Sequence, residues 1–331
     1  MEVLFLGTSA GKPTQYRNVT SIAVILQNSD FILFDCGEAT QHQLMKSHLK
    51  VTKLKAIHIT HLHGDHIFGL PGLLSTLNTL RNDTISIHGP SGLKSFLDFT
   101  LKQLNSLTVH VKEYTYQSEI IHSSGNYNYS VESAPVKHTI SCFAYKITQK
   151  RSNQQINMED LHPHLDFYRS ELEETGFLPA EQLIPLLKKG LSLTMNDGFI
   201  FHADKYLLKS NELSLVIALD NYDSTTMCSL FKQCDVLIHE CTYAITKTMT
   251  QEETKEITQQ AYNHKHSTNV MAYDVACKLK SNYLILTHFS PRYHFTDEDS
   301  IVEGCNLSKA KSNAMKIECA RDFTRICIRN K

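Results

Sequence analysis

Apolar residues enter the chain in short runs of strand length. VLFLG (3–7), SIAVIL (21–26) and FILFDCG (31–37) are nearly continuous hydrophobic stretches separated by turns, the pattern of strands covered on both faces. The stretch EATQHQLMKS that follows is helix-like. KAIHIT then reads as a strand running straight into the polar HLHGDH, and GLPGLLSTLNTL has helical spacing. TISIHGP is a further strand, SGLKSFLDFTLKQL an amphipathic helix, and 107–149 holds several strand-like segments, among them YSVESAPVKH and CFAYKIT. After residue 190 the alternation returns with SLVIALD (214–220), CDVLIHE (234–240), a helix from His266 to about Lys280, and NYLILTH (282–288). Strands followed by helices in both halves predict two packed sheets with helices outside them.

Residues 150–190 break this rhythm. They are polar, poor in strand formers and carry three prolines, which predicts an inserted arm with short helices. A length of 331 residues suits one large domain carrying such an insertion.

Composition narrows the class. Hydrophobic residues make up 41% and charged residues 20%, ordinary for a globular protein, and no apolar stretch reaches the roughly 18 residues of a membrane helix. MEVLFLGTSAG has no basic leader and reads as a first strand rather than a signal peptide. Nine cysteines without a CxxC pair point to a reduced, cytoplasmic chain. The net charge of −1 lends no support to a nucleic-acid partner, though a local basic patch would suffice. Eighteen histidines point weakly to metal.

The histidines concentrate where KAIHIT ends. His61, His63, Asp65 and His66 form HxHxDH at a strand-to-helix junction, with Gly64 freeing the backbone between them. Imidazoles and a carboxylate gathered there suit zinc or, less selectively, manganese or iron.

These residues resemble the metallo-β-lactamase superfamily and, within it, short-form tRNase Z, the tRNA 3′-processing endonucleases. GTSAGKPTQYRNVTS, FDCGE, THLHGDHIFGLPGLL, LIHECTY, HST and LILTHFSPRY are each similar to that family's motifs, and together they span residues 1 to about 295. The resemblance implies an α+β metallo-β-lactamase αββα sandwich, two packed mixed β-sheets with helices on both outer faces and an inserted arm. It also implies two Zn2+ per chain, with Mn2+ or Fe2+ as alternatives, a precursor tRNA substrate and a homodimer.

The resemblance further extends the ligand set to His138, Asp220 and His288. The first site becomes His61, His63, His138 and Asp220; the second becomes Asp65, His66, Asp220 and His288. Two ions about 3.5–4 Å apart would lower the pKa of a shared water, with Asp65 accepting its proton. His266, held by Glu240, would protonate the leaving 3′-oxygen; His264 lies two residues away but lacks the Ser-Thr that follows the family's histidine. Arg17, Asn18, Ser290 and Arg292 sit by resemblance on loops near the site, suited either to substrate phosphate or to stabilising those loops. Gly64, Gly69 and Gly72 would let the backbone approach metal or substrate. His58 is expected to pack behind the cluster.

Two features depart from the family. Asp220 is flanked by Leu219 and Asn221 where the family has Gly and Thr. Within 150–190, where the family carries a basic arm that clamps the tRNA elbow, Lys150, Arg151, Arg169, Lys188 and Lys189 face seven acidic residues. They keep open a small-molecule phosphodiesterase or arylsulfatase-like hydrolase on the same scaffold. A third reading, a non-catalytic RNA-binding or scaffold protein, is disfavoured by the intact ligand set.

Overall fold

The computed structural model describes residues 1–81, 83–102, 109–114, 116–152, 154–174, 178–208, 212–305 and 315–329. The strands are β1 (Glu2–Gly7), β2 (Ser21–Ile25), β3 (Phe31–Phe34), β4 (Leu54–His58), β5 (Ile85–Pro90), β6 (Val109–Tyr114), β7 (Ser118–Ser124), β8 (Tyr127–Val136), β9 (Cys142–Arg151), β10 (Leu193–Thr194), β11 (Ile200–Phe201), β12 (Leu213–Ala218), β13 (Val236–Glu240), β14 (Tyr283–Thr287), β15 (Lys316–Cys319) and β16 (Arg325–Cys327). One seven-stranded sheet runs β16-β1-β2-β3-β4-β5-β6 and the other β15-β14-β13-β12-β9-β8-β7. In the first, β1 to β3 pair antiparallel and β3 to β6 parallel; in the second, β12 to β15 are parallel.

The continuous apolar runs have a reason. Leu4, Leu6, Ala23 and Leu33 turn toward a cluster with Leu70, Leu73, Leu74 and Leu77 of the helix Leu70–Leu80. Their neighbours Val3, Phe5, Val24 and Phe34 are fully buried as well, because successive strand residues point to opposite faces and the second sheet covers the other side. Phe34 packs on Tyr145 with ring centroids 5.5 Å apart. On the far side, Leu237, Leu284 and Leu286 meet Ala272, Val275 and Ala276 of the helix Asn269–Lys278. The expected sandwich with helices on both outer faces is the observed fold.

The predicted helices shift at their ends. The helix expected from His266 starts at Asn269, where the Thr268 hydroxyl accepts the Met271 N–H at 3.2 Å; a hydroxyl at this position satisfies a donor that the first turn leaves open. The amphipathic helix predicted from Ser91 spans Leu93–Thr100, and its expected residues 103–104 lie outside the described ones. No helix among the described residues is long and apolar enough to cross a membrane.

Residues 125–128 and 149–212 form a second compact unit, running beyond the expected 150–190. It contains the helices Met158–Phe167, Arg169–Glu174, Ile184–Lys188 and Ala203–Tyr206 and the β10–β11 hairpin. Its own core gathers Leu161, Leu172, Leu183, Leu187, Phe201 and Tyr206.

Candidate metal centre

Five strands end at one edge of the main unit and each delivers chemistry at or shortly past its last residue. β3 yields Asp35, β4 yields His61, β12 yields Asp220, β13 ends on Glu240 and β14 is followed by His288. Parallel strands present their carboxyl ends together, which is where such sheets hold ligands. Asp35 and His288 both take left-handed backbone, each with φ of 56°. Non-glycine residues pay about 1–3 kcal/mol for strained backbone of this kind, and it persists where surrounding structure enforces it, often at functional sites.

The expected ligands converge. His61, His63, His138 and Asp220 form one group able to hold a metal ion, and Asp65, His66 and His288 another. Asp220 stands between them. Its Oδ2 lies 3.6 Å from His61 Nε2 and 3.7 Å from His138 Nε2, while its Oδ1 lies 3.3 Å from His66 Nε2 and 3.0 Å from His288 Nε2. Asp65 Oδ2 is 3.5 Å from both His66 Nε2 and His288 Nε2. Four donors placed tetrahedrally about 2.0–2.1 Å from an ion are roughly 3.3 Å apart, so the spacings match. His66 Nε2, His288 Nε2 and Asp220 Oδ1 are buried without a hydrogen-bond partner, a costly state unless a cation takes them. The donor set therefore fits divalent metal.

The outward ring nitrogens explain why Nε2 is free. His66 Nδ1 lies 2.6 Å from Asp35 Oδ2. Thr60 gives its hydroxyl proton to the same oxygen at 2.8 Å and so accepts from His61 Nδ1 at 2.9 Å. His138 Nδ1 meets the Lys265 carbonyl at 2.8 Å, and Thr242 Oγ1 lies 2.9 Å from His288 Nδ1. Each partner holds the proton on Nδ1 and leaves Nε2 as the donor. His63 turns the other nitrogen inward, with its Nδ1 3.0 Å from His61 Nε2. Sequence reasoning missed Asp35, Thr60 and Thr242 in these roles. FDCGE, THLHGDH and LIHECTY contain them, but nothing local says which side chains point at the histidines.

Electrostatics divide the imidazoles. Burial pushes His61, His63 and His138 down, keeping them neutral as ligation requires. Burial also opposes charge on His66, but Asp220, Asp35 and Asp65 prevail and raise it well above its ordinary value. Burial would raise Asp220, yet His288, His66 and His61 hold it well below the carboxylate range. The carboxylates thus call for positive charge at this spot.

Beside the ligands, Glu240 is fully buried, with its Oε2 3.2 Å from His266 Nδ1. Burial works against the imidazolium, but Glu240 dominates and lifts His266 to about 9. His264 lies apart from this pair, with its Nδ1 2.9 Å from the Tyr243 hydroxyl. Asp223 also stands aside, in an ion pair with Lys137 at 2.8 Å.

The expected substrate contacts divide. Ser290 lines the open cleft with Asp65, His266 and His288, and Arg292 adjoins it, its Nε 3.1 Å from Ser290 Oγ and its guanidinium 5.1 Å from the centre of the Tyr243 ring. Arg17 turns inward: it is 4% exposed and binds Thr8, the Ala320 carbonyl and Glu298 at 2.7–2.8 Å. Asn18 ties its amide to the Glu38 carbonyl at 2.8 Å. Both brace loops, Arg17 from a buried position. Two of the glycines are closely packed. A Cβ on Gly69 would stand 2.0 Å from the Gly37 carbonyl, and one on Gly64 2.3 Å from the Phe68 ring. His58 packs behind the centre as expected, stacked on Phe34 and His88.

Ribonuclease Z of Prochlorococcus marinus (strain NATL2A) is 34% identical over 337 residues, covering 99% of this chain and 99% of that protein. The chain belongs to the ribonuclease Z family. Ribonuclease BN of Proteus mirabilis (strain HI4320) is 33% identical over 92% of this chain and 94% of its own length. The crystal structure of the short form of human tRNase Z shares 26% identity with a TM-score of 0.61, covering both chains fully. A family model described as Anti-Pycsar protein Apyc1 matches residues 1–146. Membership makes the chain a ribonuclease Z-type endoribonuclease, with this centre as its candidate active site.

Proposed function

We propose that the protein cuts the 3′ trailer from precursor tRNA, leaving a 3′-hydroxyl on the tRNA and a 5′-phosphate on the trailer. The observation that carries the reading is the junction of the two donor groups at Asp220 with the Glu240–His266 pair alongside. Metal ligands in this reading are His61, His63, His138, Asp220, Asp65, His66 and His288, holding two Zn2+, with Mn2+ and Fe2+ as alternatives. Such cations supply charge neutralisation at the phosphoryl oxygens and a water of lowered pKa. Asp65 is fixed by the Gly11 N–H at 2.8 Å and orients the attacking water. His266 is protonated below about pH 9; with Nδ1 committed to Glu240, its Nε2 delivers the proton to the leaving 3′-oxygen as the P–O bond breaks. Ser290 and Arg292 contact the flanking phosphate. The unit of 125–128 and 149–212 takes the place of the family's arm, and the enzyme acts as a cytoplasmic homodimer.

Purified protein incubated with a precursor tRNA and with a chromogenic phosphodiester tests this. Trailer release that disappears in Asp65→Ala and His266→Ala supports the reading. Turnover of the small ester alone replaces it with a small-molecule phosphodiesterase, and binding without turnover of either replaces it with a non-catalytic RNA-binding protein.

A further inference from the structure

Segments that adjoin Asp220, His138 and His266 in the chain carry a cluster of rings and a cation. Tyr222 and Tyr262 meet edge to face at 84° with centroids 5.4 Å apart. The Lys265 ammonium sits 4.5 Å from the first ring centre and 4.6 Å from the second. Each of the three segments around it is bound to the centre. Lys265 immediately precedes His266, and its carbonyl receives His138 Nδ1. Tyr222 lies two residues beyond Asp220, and its N–H donates to the Lys137 carbonyl at 3.0 Å. Lys137 in turn precedes His138 and spends its charge on Asp223. Among the described residues Lys265 has no carboxylate partner. Tyr262 remains 52% exposed.

A half-exposed ring with a free ammonium over it is what an unpaired nucleotide needs: a flat face for the base and a cation for its phosphate. The position says which nucleotide. His266 serves the leaving 3′-oxygen, so residues joined to it flank the sugar that carries this oxygen, on the 5′ side of the cut. We propose that Tyr262 stacks the unpaired base immediately 5′ of the scissile phosphate, with Tyr222 supporting the ring and Lys265 facing that nucleotide's phosphate. The inference rests on the RNA-cleaving reading and adds the subsite that selects an unpaired nucleotide at the cut. Neither tyrosine nor the lysine touches the reacting atoms.

The experiment is a cycle between enzyme and substrate. Wild type and Tyr262→Ala are assayed on precursor tRNA with a normal or an abasic nucleotide 5′ of the cut. In wild type, loss of the base is expected to lower kcat/KM by about 5- to 150-fold, the worth of one stacked base. Tyr262→Ala should lower it similarly on the normal substrate and show no further loss on the abasic one. Tyr262→Phe keeps the ring face and should behave as wild type. Lys265→Ala should raise KM for the normal precursor tRNA while metal content stays unchanged. The subsite is refuted if Tyr262→Ala cuts the normal substrate as fast as wild type, or if the abasic nucleotide harms both enzymes equally. Should wild type release no trailer at all, the RNA-cleaving reading fails separately. Anisotropy with a labelled single-stranded RNA hexamer then decides the subsite: equal affinity of wild type and Tyr262→Ala overturns it, and weaker binding by the variant sustains it.

Discussion

Replacing Asp35 with Asn alters one atom outside the candidate ligand set and should still weaken metal binding. Asp35 is fully buried and accepts three bonds: Thr60 N–H at 2.7 Å on Oδ1, and Thr60 Oγ1 at 2.8 Å with His66 Nδ1 at 2.6 Å on Oδ2. Asn tolerates the φ of 56° found there, so the backbone should hold. The amide oxygen must stay with the Thr60 N–H, which sets the NH2 group opposite His66 Nδ1. Two donors would then face each other. The imidazole escapes by moving its proton to Nε2, the nitrogen 3.3 Å from Asp220 Oδ1, and a protonated Nε2 cannot ligate. Losing such a partner typically costs 10–100-fold in metal affinity, about 1.4–2.7 kcal/mol. Competition against a chromogenic chelator, with metal content by mass spectrometry, measures it, and His66→Ala marks complete loss of the donor. The reasoning fails if Asp35→Asn binds metal as wild type does while His66→Ala does not.

Three further outcomes are expected. Glu240→Gln removes the charge that keeps His266 near 9, so the alkaline limb of kcat should move toward the ordinary histidine value of about 6.5 with metal content retained; an unmoved limb counts against the acid role. Burial pushes His58 well down, His88 to about 3 and His122 to about 4, so the unfolded chain binds protons that the folded one refuses. Stability should fall by a few kcal/mol as pH drops through 6.5 toward 4, and urea midpoints of His88→Phe should show a shallower slope than wild type; identical slopes refute it. Gly69→Ala drives a Cβ to 2.0 Å from the Gly37 carbonyl and should cost at least about 1–3 kcal/mol, visible as a lowered thermal midpoint with no direct contact to the metal ligands.

Much was legible along the chain because it is local. Continuous apolar runs announced strands covered on both faces, HxHxDH marked candidate ligands after a strand, and the family resemblance added those at the ends of SLVIALD and NYLILTH, which the structure gathers. A residue's type and its distance from the end of a run are properties of sequence, and they named the donor chemistry. Which way a donor faces is not. Arg17 suited either phosphate or a loop, and Glu298, 281 residues away, holds it inside. That Gly69 has no room for a Cβ beside the Gly37 carbonyl is visible only in the structure. The proton positions on His66, His61 and His288 depend on Asp35, Thr60 and Thr242, and the charge on His266, chosen over His264 by its following Ser-Thr, depends on the buried Glu240 carboxylate. The sequence by itself determined the strands, the sandwich and the identity of the candidate ligand side chains. Only the tertiary structure decided their orientation, tautomer and charge, because those follow from hydrogen bonds and burial set by segments far apart in the chain.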